Sequence, residues 1–379
     1  MNILHVVNVC FALPYFIGDQ LNYMRDKGHK MYIVCSPAPQ LKSFANKYSS
    51  DYREVEILRK FSILSDIKAI FHICKYIYEN HIDVVNGHTP KAGMLAMVAA
   101  FCMRVPKRIY FRHGLLYETS HGIKRNIFIF SERLASFFAT DVVCVSQYLK
   151  EKSNIDKLTS YSKLKILYKG SCNGIDVYGH FNPNNIDIDI LNHIRQKYHL
   201  TQKSWVIGYT GRLVKDKGIV ELVKAYAILK QKYDDIFLLL VGPMEERDCL
   251  PNEIVEFIHS DERIITPGLI EKGIEYYYAI MNVLVLATHR EGLGSCLLEA
   301  SSMRLPVLTT SHTGSRDAII NNETGLFVDL SPISIANKIE LLHNNESLAK
   351  KMGISGRKFV ASNFEQHLIW SEIEKLYHL

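Results

Sequence analysis

Short apolar runs alternate with longer stretches of helical periodicity along the whole chain. Ile3 to Val9 and Met31 to Cys35 read as buried strands. Between them, Pro14 to Lys27 reads as a loop and an amphipathic helix stopped by Gly28. Ser65 to Asn80 sets Ile67, Ile70, Phe71, Ile73, Cys74 and Ile77 at helical spacing. Asp83 to Asn86, Arg108 to Phe111, Asp141 to Val145 and Ile166 to Tyr168 are further short strands. Helices ending at Met103 and covering Ile123 to Phe138 lie between them, and Ser146 caps another. From Phe181 to Ser204 the pattern turns polar and rich in Asn and Asp, which predicts a connector with one helix. A second strand series starts at Val206 to Tyr209 and continues at Phe237 to Val241, Ile264 to Ile265, Val283 to Ala287 and Val307 to Thr309. Helices over Ile333 to Asn344 and Glu346 to Asn363 follow. The final stretch, Gln366 to Leu379, has Ile369, Ile373 and Leu376 at i, i+4 and i+7, a stripe that needs a surface to bury it.

A repeated strand–helix rhythm predicts an α/β fold with parallel, doubly wound sheets, whose ligands bind beyond the carboxyl ends of the strands. Two such series predict two Rossmann-like domains facing across a cleft. Their expected bounds are 1–180, a connector over 181–204, a second domain over 205–363, and a terminal helix over 364–379.

Composition narrows the class. A chain of 379 residues is long for one core, which agrees with two domains. The net charge of +6 suits an anionic ligand or an anionic membrane surface, but it is too diffuse to point to nucleic acid. The 8 cysteines are scattered with no C-x-x-C pair, which reads as free thiols in a reducing compartment. The start MNILHVVNV has no basic leader and enters a strand pattern at once, so a signal peptide is not expected. The apolar stretch Ala92 to Met103 is too short to span a bilayer and reads as a core helix.

Candidate chemistry gathers in the second half. After the strand at Val283 to Ala287 comes Arg290-Glu291-Gly292-Leu293-Gly294-Ser295-Cys296-Leu297-Leu298-Glu299-Ala300. Strand, glycine turn and helix start, with Ser295 as the expected N-cap, form an anion site from unpaired backbone N–H groups. A lone G-x-G before a helix is more often a plain helix start, so its neighbours decide. Glu291 and Glu299 flank the loop, where sugar hydroxyls suit them better than phosphate does. Further upstream, Gly208-Tyr209-Thr210-Gly211-Arg212-Leu213-Val214-Lys215-Asp216-Lys217-Gly218 brings Arg212 and Lys217 to the end of a strand. Alone, a surface turn with solvated cations explains that stretch equally well. Together, a forked guanidinium, a movable ammonium and a helix N-terminus suit a diphosphate.

The pattern G-R-L-x-x-x-K-G, followed by E-G-x-G-S-x-x-x-E-A, resembles the retaining glycosyltransferases of family 4, which have the two-domain GT-B fold. Further matches are His88-Thr89-Pro90-Lys91-Ala92-Gly93, Val145-Ser146, the loop over 170–176, and Gly314 with Asn322-Glu323-Thr324-Gly325-Leu326. The H-T-P-K-A-G and G-S-x-N-G-I-D segments are similar to those of bacterial capsule, exopolysaccharide and O-antigen transferases. By that resemblance Arg212 and Lys217 neutralise the leaving diphosphate, and Glu291 binds donor-sugar hydroxyls beside the N–H groups of Gly292, Leu293, Gly294 and Ser295. Glu299 holds the ribose, the stretch Pro267-Gly268-Leu269-Ile270 flanks the base, Gly211 belongs to the donor-binding set, and His113 on the first domain reaches the sugar and phosphate. The terminal helix returns to the first domain.

The resemblance implies a hexose or N-acetylhexosamine-type donor linked to a nucleotide, UDP by expectation. It implies a polyprenyl-diphosphate-linked saccharide as acceptor, reached at the inner face of the cell membrane by a cytoplasmic, peripheral enzyme. No cofactor or essential metal is expected. The one Asp-x-Asp, Asp187-Ile188-Asp189, lies in the polar connector and reads as a solvated loop. Two places depart from the family pattern. Cys10-Phe11-Ala12-Leu13-Pro14 stands where relatives have a glycine-rich turn, and Ala287-Thr288-His289 stands where they have Pro-Ser. A sugar-nucleotide epimerase of the same fold, a transferase with a soluble acceptor, and an inactive binding protein are the rival readings.

Elsewhere, His88 and Lys91 are either cleft residues or part of a helix cap, and His5 reads as a satisfied core or cleft-edge residue. Lys107, Arg108, Arg112, Lys124 and Arg125 form either a solvated basic face or a contact for anionic lipid. Phe128, Ile129 and Phe130 read as core.

Overall fold

The computed structural model describes residues 1–58, 60, 62–245 and 248–378. It divides into two compact units, Met1–Gly174 with Gln366–Leu379, and Ile175–Glu365. Leu379, the last residue of the expected terminal helix, lies outside the described residues.

The first unit is built on a seven-stranded sheet. Its strands are β1 (Asn2–Val7), β2 (Lys30–Cys35), β3 (Asp51–Glu54), β4 (Val84–His88), β5 (Lys107–Arg112), β6 (Asp141–Cys144) and β7 (Leu164–Lys165). They run in the order β3-β2-β1-β4-β5-β6-β7, with every pairing parallel. The second unit has β8 (Trp205–Thr210), β9 (Ile236–Val241), β10 (Ile264–Gly268), β11 (Val283–Leu286), β12 (Val307–Thr310) and β13 (Gly325–Val328), in the order β10-β9-β8-β11-β12-β13, again all parallel. In each sheet the order reverses direction after the third strand. With right-handed crossovers, that reversal sends helices to both faces and leaves a crevice between the first and fourth strands. The central strands are buried along nearly their whole length, as parallel strands covered on both faces must be.

Several elements were not legible in the pattern. β3 and the helix Leu41–Lys47 lie in a stretch without clear periodicity, and β3 is an edge strand whose four residues are only half-buried or exposed. β13 is a four-residue strand that follows a turn. The polar segment over 181–204 lies in the second unit, which begins at Ile175, where its N–H donates to the Phe364 carbonyl (2.7 Å). Its helix, Ile188–Lys197, is capped by Asp187, whose carboxylate accepts from the N–H groups of Asp189 and Ile190. That capping role accounts for Asp187, while Asp189 lies in the first turn of the helix.

The terminal helix, Gln366–His378, buries Ile369, Trp370, Ile373, Leu376 and Tyr377 and belongs to the first unit. The Trp370 indole N–H donates to Asn173 Oδ1 (2.9 Å), and its ring lies 5.6 Å from that of Tyr23.

The basic cluster of the first unit splits. Arg112 is fully buried: its Nε donates to Glu132 (2.8 Å), Nη1 to Ser153 Oγ (2.7 Å) and Nη2 to Ser136 Oγ (2.7 Å). It is a core strut rather than part of a lipid-facing surface, because every arm of the fork has an acceptor in the core. Lys107 pairs with Asp141 (3.0 Å), while Lys124 and Arg125 are exposed. The aromatics beside them are not core. On the helix Gly122–Phe138, Phe130 is exposed and Phe128 and Ile129 are half-buried, because the buried face is carried by Ser131, Glu132, Ala135 and Ser136.

Candidate functional site

In the second unit the crevice lies between β8 and β11, and both expected motif loops leave the carboxyl ends of these two strands. Gly211 follows β8 at a φ of +142°, and Gly218 ends the turn at +70°, both in the region that favours glycine. At Gly218 a Cβ would stand 1.6 Å from the Ala287 carbonyl oxygen, so the two loops touch backbone to backbone. They are tied further where the Asp216 carbonyl accepts from the His289 N–H (3.0 Å) and the Thr288 hydroxyl (3.1 Å), and where the Asp216 carboxylate pairs with Arg290 (2.7 Å).

This stitching puts Lys217 against Glu291. The Lys217 ammonium is 2.5 Å from Glu291 Oε2 and also reaches the Arg290 carbonyl (3.3 Å). The other carboxylate oxygen of Glu291 accepts from the Gly292 N–H (2.9 Å). Burial pushes the Glu291 carboxyl up, but the Lys217 charge, its hydrogen bond and the Gly292 N–H outweigh burial and hold it below the ordinary carboxylate range. Glu291 is therefore an anion at neutral pH with an ammonium in hand. The Gly314 N–H donates to the Glu291 carbonyl (3.0 Å), and a Cβ on Gly314 would meet the Gly292 carbonyl oxygen at 2.0 Å. The glycine of the later motif thus supports the loop from behind.

The helix that follows is Ser295–Ser302. Its N-cap is Gly294, at a φ of +81°, not Ser295, which occupies the first helical position. The left-handed bend falls one residue earlier than a serine cap would place it, and among the described residues no side-chain cap bond is made at this N-cap. Glu299 is treated differently from Glu291. It accepts from the Tyr278 hydroxyl (2.6 Å), which also bonds Thr210 (2.7 Å), and burial pushes its carboxyl up. Arg212 holds Glu245 (2.9 Å) in a half-exposed pair. Leu269, just after β10, is exposed. His289 bonds Glu221 (3.1 Å), which gives it a structural partner outside the motif loops.

The second unit thus brings together Gly211, Arg212, Lys217, Glu291, Gly292, Leu293, Gly294, Ser295 and Glu299 on the two loops and their helix. His113 belongs to the first unit, at the end of β5, and its Nε2 is 3.1 Å from His88 Nδ1. Lys91 is not a free cation, since it pairs with Asp66. Tyr278, which positions Glu299, was missed by sequence reading, because an apolar helix position carries no signal for a carboxylate partner. Among the described residues, one His/Cys/Asp/Glu group has metal-like proximity: His29, Glu374 and His378, with ligand atoms within 4.8 Å of one another. It lies in the first unit, and its Glu374 already meets Tyr23 (3.3 Å) and Lys27 (3.8 Å).

Two parallel α/β units with the same reversing strand order are the architecture of GT-B glycosyltransferases. The chain belongs to the group 1 glycosyltransferases: residues 192–359 match the family model "Glycosyl transferases group 1", and residues 4–146 match "Glycosyl transferase 4-like". It is 35% identical over 378 residues to the capsular polysaccharide biosynthesis glycosyltransferase CapM of Staphylococcus aureus, covering 99% of this chain and 96% of that one. It is 23% identical over 311 residues to the UDP-Gal:alpha-D-GlcNAc-diphosphoundecaprenol alpha-1,3-galactosyltransferase of Escherichia coli, covering 79% and 76%. The crystal structure of Anabaena HepE in complex with UDP and glucose superposes with a TM-score of 0.83 at 18% identity, covering 99% of this chain and 98% of that one. The chain is accordingly a glycosyltransferase enzyme.

Proposed function

We propose that this enzyme transfers a hexose or N-acetylhexosamine-type sugar from a UDP-linked donor to a polyprenyl-diphosphate-linked saccharide, with retention, in bacterial surface polysaccharide synthesis. The observation that carries the reading is the Lys217–Glu291 pair at the switch point of the second sheet, beside a helix N-terminus that no side chain among the described residues caps. The capsular role named for the Staphylococcus relative supports the pathway. The UDP-galactose and lipid diphosphate named for the Escherichia relative support the donor and acceptor classes.

In this reading the bond between the sugar's anomeric carbon and the diphosphate breaks, and charge develops on the leaving phosphate. Lys217, Arg212 and the N–H groups of 293–295 stand beside the growing charge in this reading, which lowers the barrier without a divalent ion. The half-exposed Arg212–Glu245 pair is worth about 0–1 kcal/mol, so a diphosphate displaces Glu245 at little cost. Glu291, kept anionic by Lys217, accepts from sugar hydroxyls while orienting the ammonium. Glu299 accepts from the ribose. The acceptor oxygen attacks the same face of the sugar and passes its proton to the departing phosphate oxygen.

Association with the inner membrane face is supported by the helix Gly122–Phe138, which exposes Ile123, Ile127 and Phe130 beside Lys124 and Arg125. No described helix is long and apolar enough to cross a membrane. Donor hydrolysis measured over UDP-, GDP- and ADP-sugars, with and without EDTA, tests the proposal. Turnover with a UDP-sugar that EDTA leaves intact is expected. Turnover only with another nucleotide, or its loss with EDTA, contradicts it. Product formed without any acceptor other than water, with the sugar inverted at a ring carbon, would indicate an epimerase.

A further inference from the structure

In the first unit, His5, Asn86, His88 and His113 form one hydrogen-bonded series. Strand register explains it. His5 on β1 pairs with Asn86 on β4, and His88 lies two residues further along β4, on the same face. His88 in turn pairs in register with Phe111 of β5, and His113 is two residues beyond Phe111. His5 Nδ1 is 3.1 Å from His88 Nε2, and His88 Nδ1 is 3.1 Å from His113 Nε2. At the far end, Asn86 Nδ2 is 3.4 Å from His5 Nε2 and 2.7 Å from the hydroxyl of Tyr377 on the terminal helix. Stacking fixes the rings, with Phe111 4.7 Å from His88 and Phe16 3.9 Å from His113.

Burial drives the pKa values of His5 and His113 down to about 3 and holds that of His88 well below its ordinary value, so all three rings are neutral at neutral pH. A neutral imidazole has one N–H and one lone pair. Two contacts between three such rings each need one proton, so the three must share one tautomer. The end of the series selects which. As placed, the Asn86 amide donates in two directions and leaves only its carbonyl oxygen without a partner. Rotated, it would strand both of its N–H groups, the less tolerated arrangement in a buried site. Asn86 therefore donates to His5 Nε2, His5 donates from Nδ1 to His88, and His88 donates from Nδ1 to His113.

We propose that Asn86, His5 and His88 are positioning residues that hold His113 as the Nδ1–H tautomer, so that it meets substrate as a hydrogen-bond donor to a hydroxyl or phosphate oxygen and never as a base. The part concerning substrate rests on the transfer reading above, whereas the tautomer does not. Nitrogen-15 spectra of histidine-labelled protein at neutral pH test it, with signals assigned by their loss in His5→Gln, His88→Gln and His113→Gln. The expected result is Nδ1–H for all three rings, the form that free histidine disfavours. Nε2–H at any of them in the wild-type protein overturns the proposal. In Asn86→Asp the carboxylate can only accept, so the series is expected to reverse and His113 to become Nε2–H. A folded Asn86→Asp whose His113 stays Nδ1–H shows that Asn86 does not set the tautomer and overturns the relay. If the tautomers are as stated but His113→Gln leaves transfer unchanged, the substrate role of His113 fails while the wild-type tautomer stands.

Discussion

At the scale of single residues, the second unit separates two carboxylates of one motif by what surrounds them. Glu291 has Lys217 and a backbone N–H and stays ionised, while Glu299 has a tyrosine hydroxyl and a desolvated pocket. Lys217→Ala is expected to lower the turnover of sugar transfer by roughly 10²–10³-fold, the usual effect of removing one fixed group from developing charge. Steady-state kinetics check this, with circular dichroism to establish that the fold is kept. Gly218→Ala is a different kind of change. Its Cβ would sit 1.6 Å from the Ala287 oxygen at a φ of +70°, so the loops must part. A loss of at least about 1–3 kcal/mol is expected in a denaturant melt. Arg112→Ala strands Glu132 in the core of the first unit and is expected to cost about 3–5 kcal/mol, also measured by denaturant unfolding.

At the scale of elements, legibility follows burial. Strands buried on both faces are continuous apolar runs, and β1, β2, β8, β9 and β11 stand out in the sequence for that reason. β3 does not, because an edge strand with exposed positions needs no apolar run. The terminal helix shows its buried stripe at helical spacing because that stripe is covered, whereas the helix Gly122–Phe138 misleads: its apolar run Ile127 to Phe130 straddles the exposed face. The motif loops were legible through glycine and charge, but Tyr278 and Glu245 were not, since partners from elsewhere in the fold leave no local pattern. The position of the helix cap at Gly294 is likewise decided by backbone conformation rather than by the presence of a serine next to it. Trp370→Ala removes a buried ring and the bond to Asn173 from the terminal helix, and about 3–5 kcal/mol of stability should go with it. A calorimetric melt would show whether the loss is of that size.

For the whole molecule, the buried histidines set an acid limit. Their folded pKa values lie below the unfolded value of 6.5, so the unfolded chain binds more protons in that window. The stability they confer is complete above pH 6.5 and is lost as pH falls towards the folded values, about 3 for His5 and His113. Melting temperature followed from pH 7 to pH 4 should fall steeply, and a flat profile would contradict neutral burial of these rings. The reversing strand order of both sheets, with the charged loops at the switch point of the second, makes nucleotide-sugar binding the claim on which the rest depends. The direct measurement is the melting temperature of the wild-type protein and of Lys217→Ala over a UDP titration, since a ligand held only by the native state raises stability with its concentration. A rise in the wild-type protein that is much reduced in Lys217→Ala is the predicted result. No rise in the wild-type protein, or an equal rise in both, would contradict the assignment of the diphosphate site.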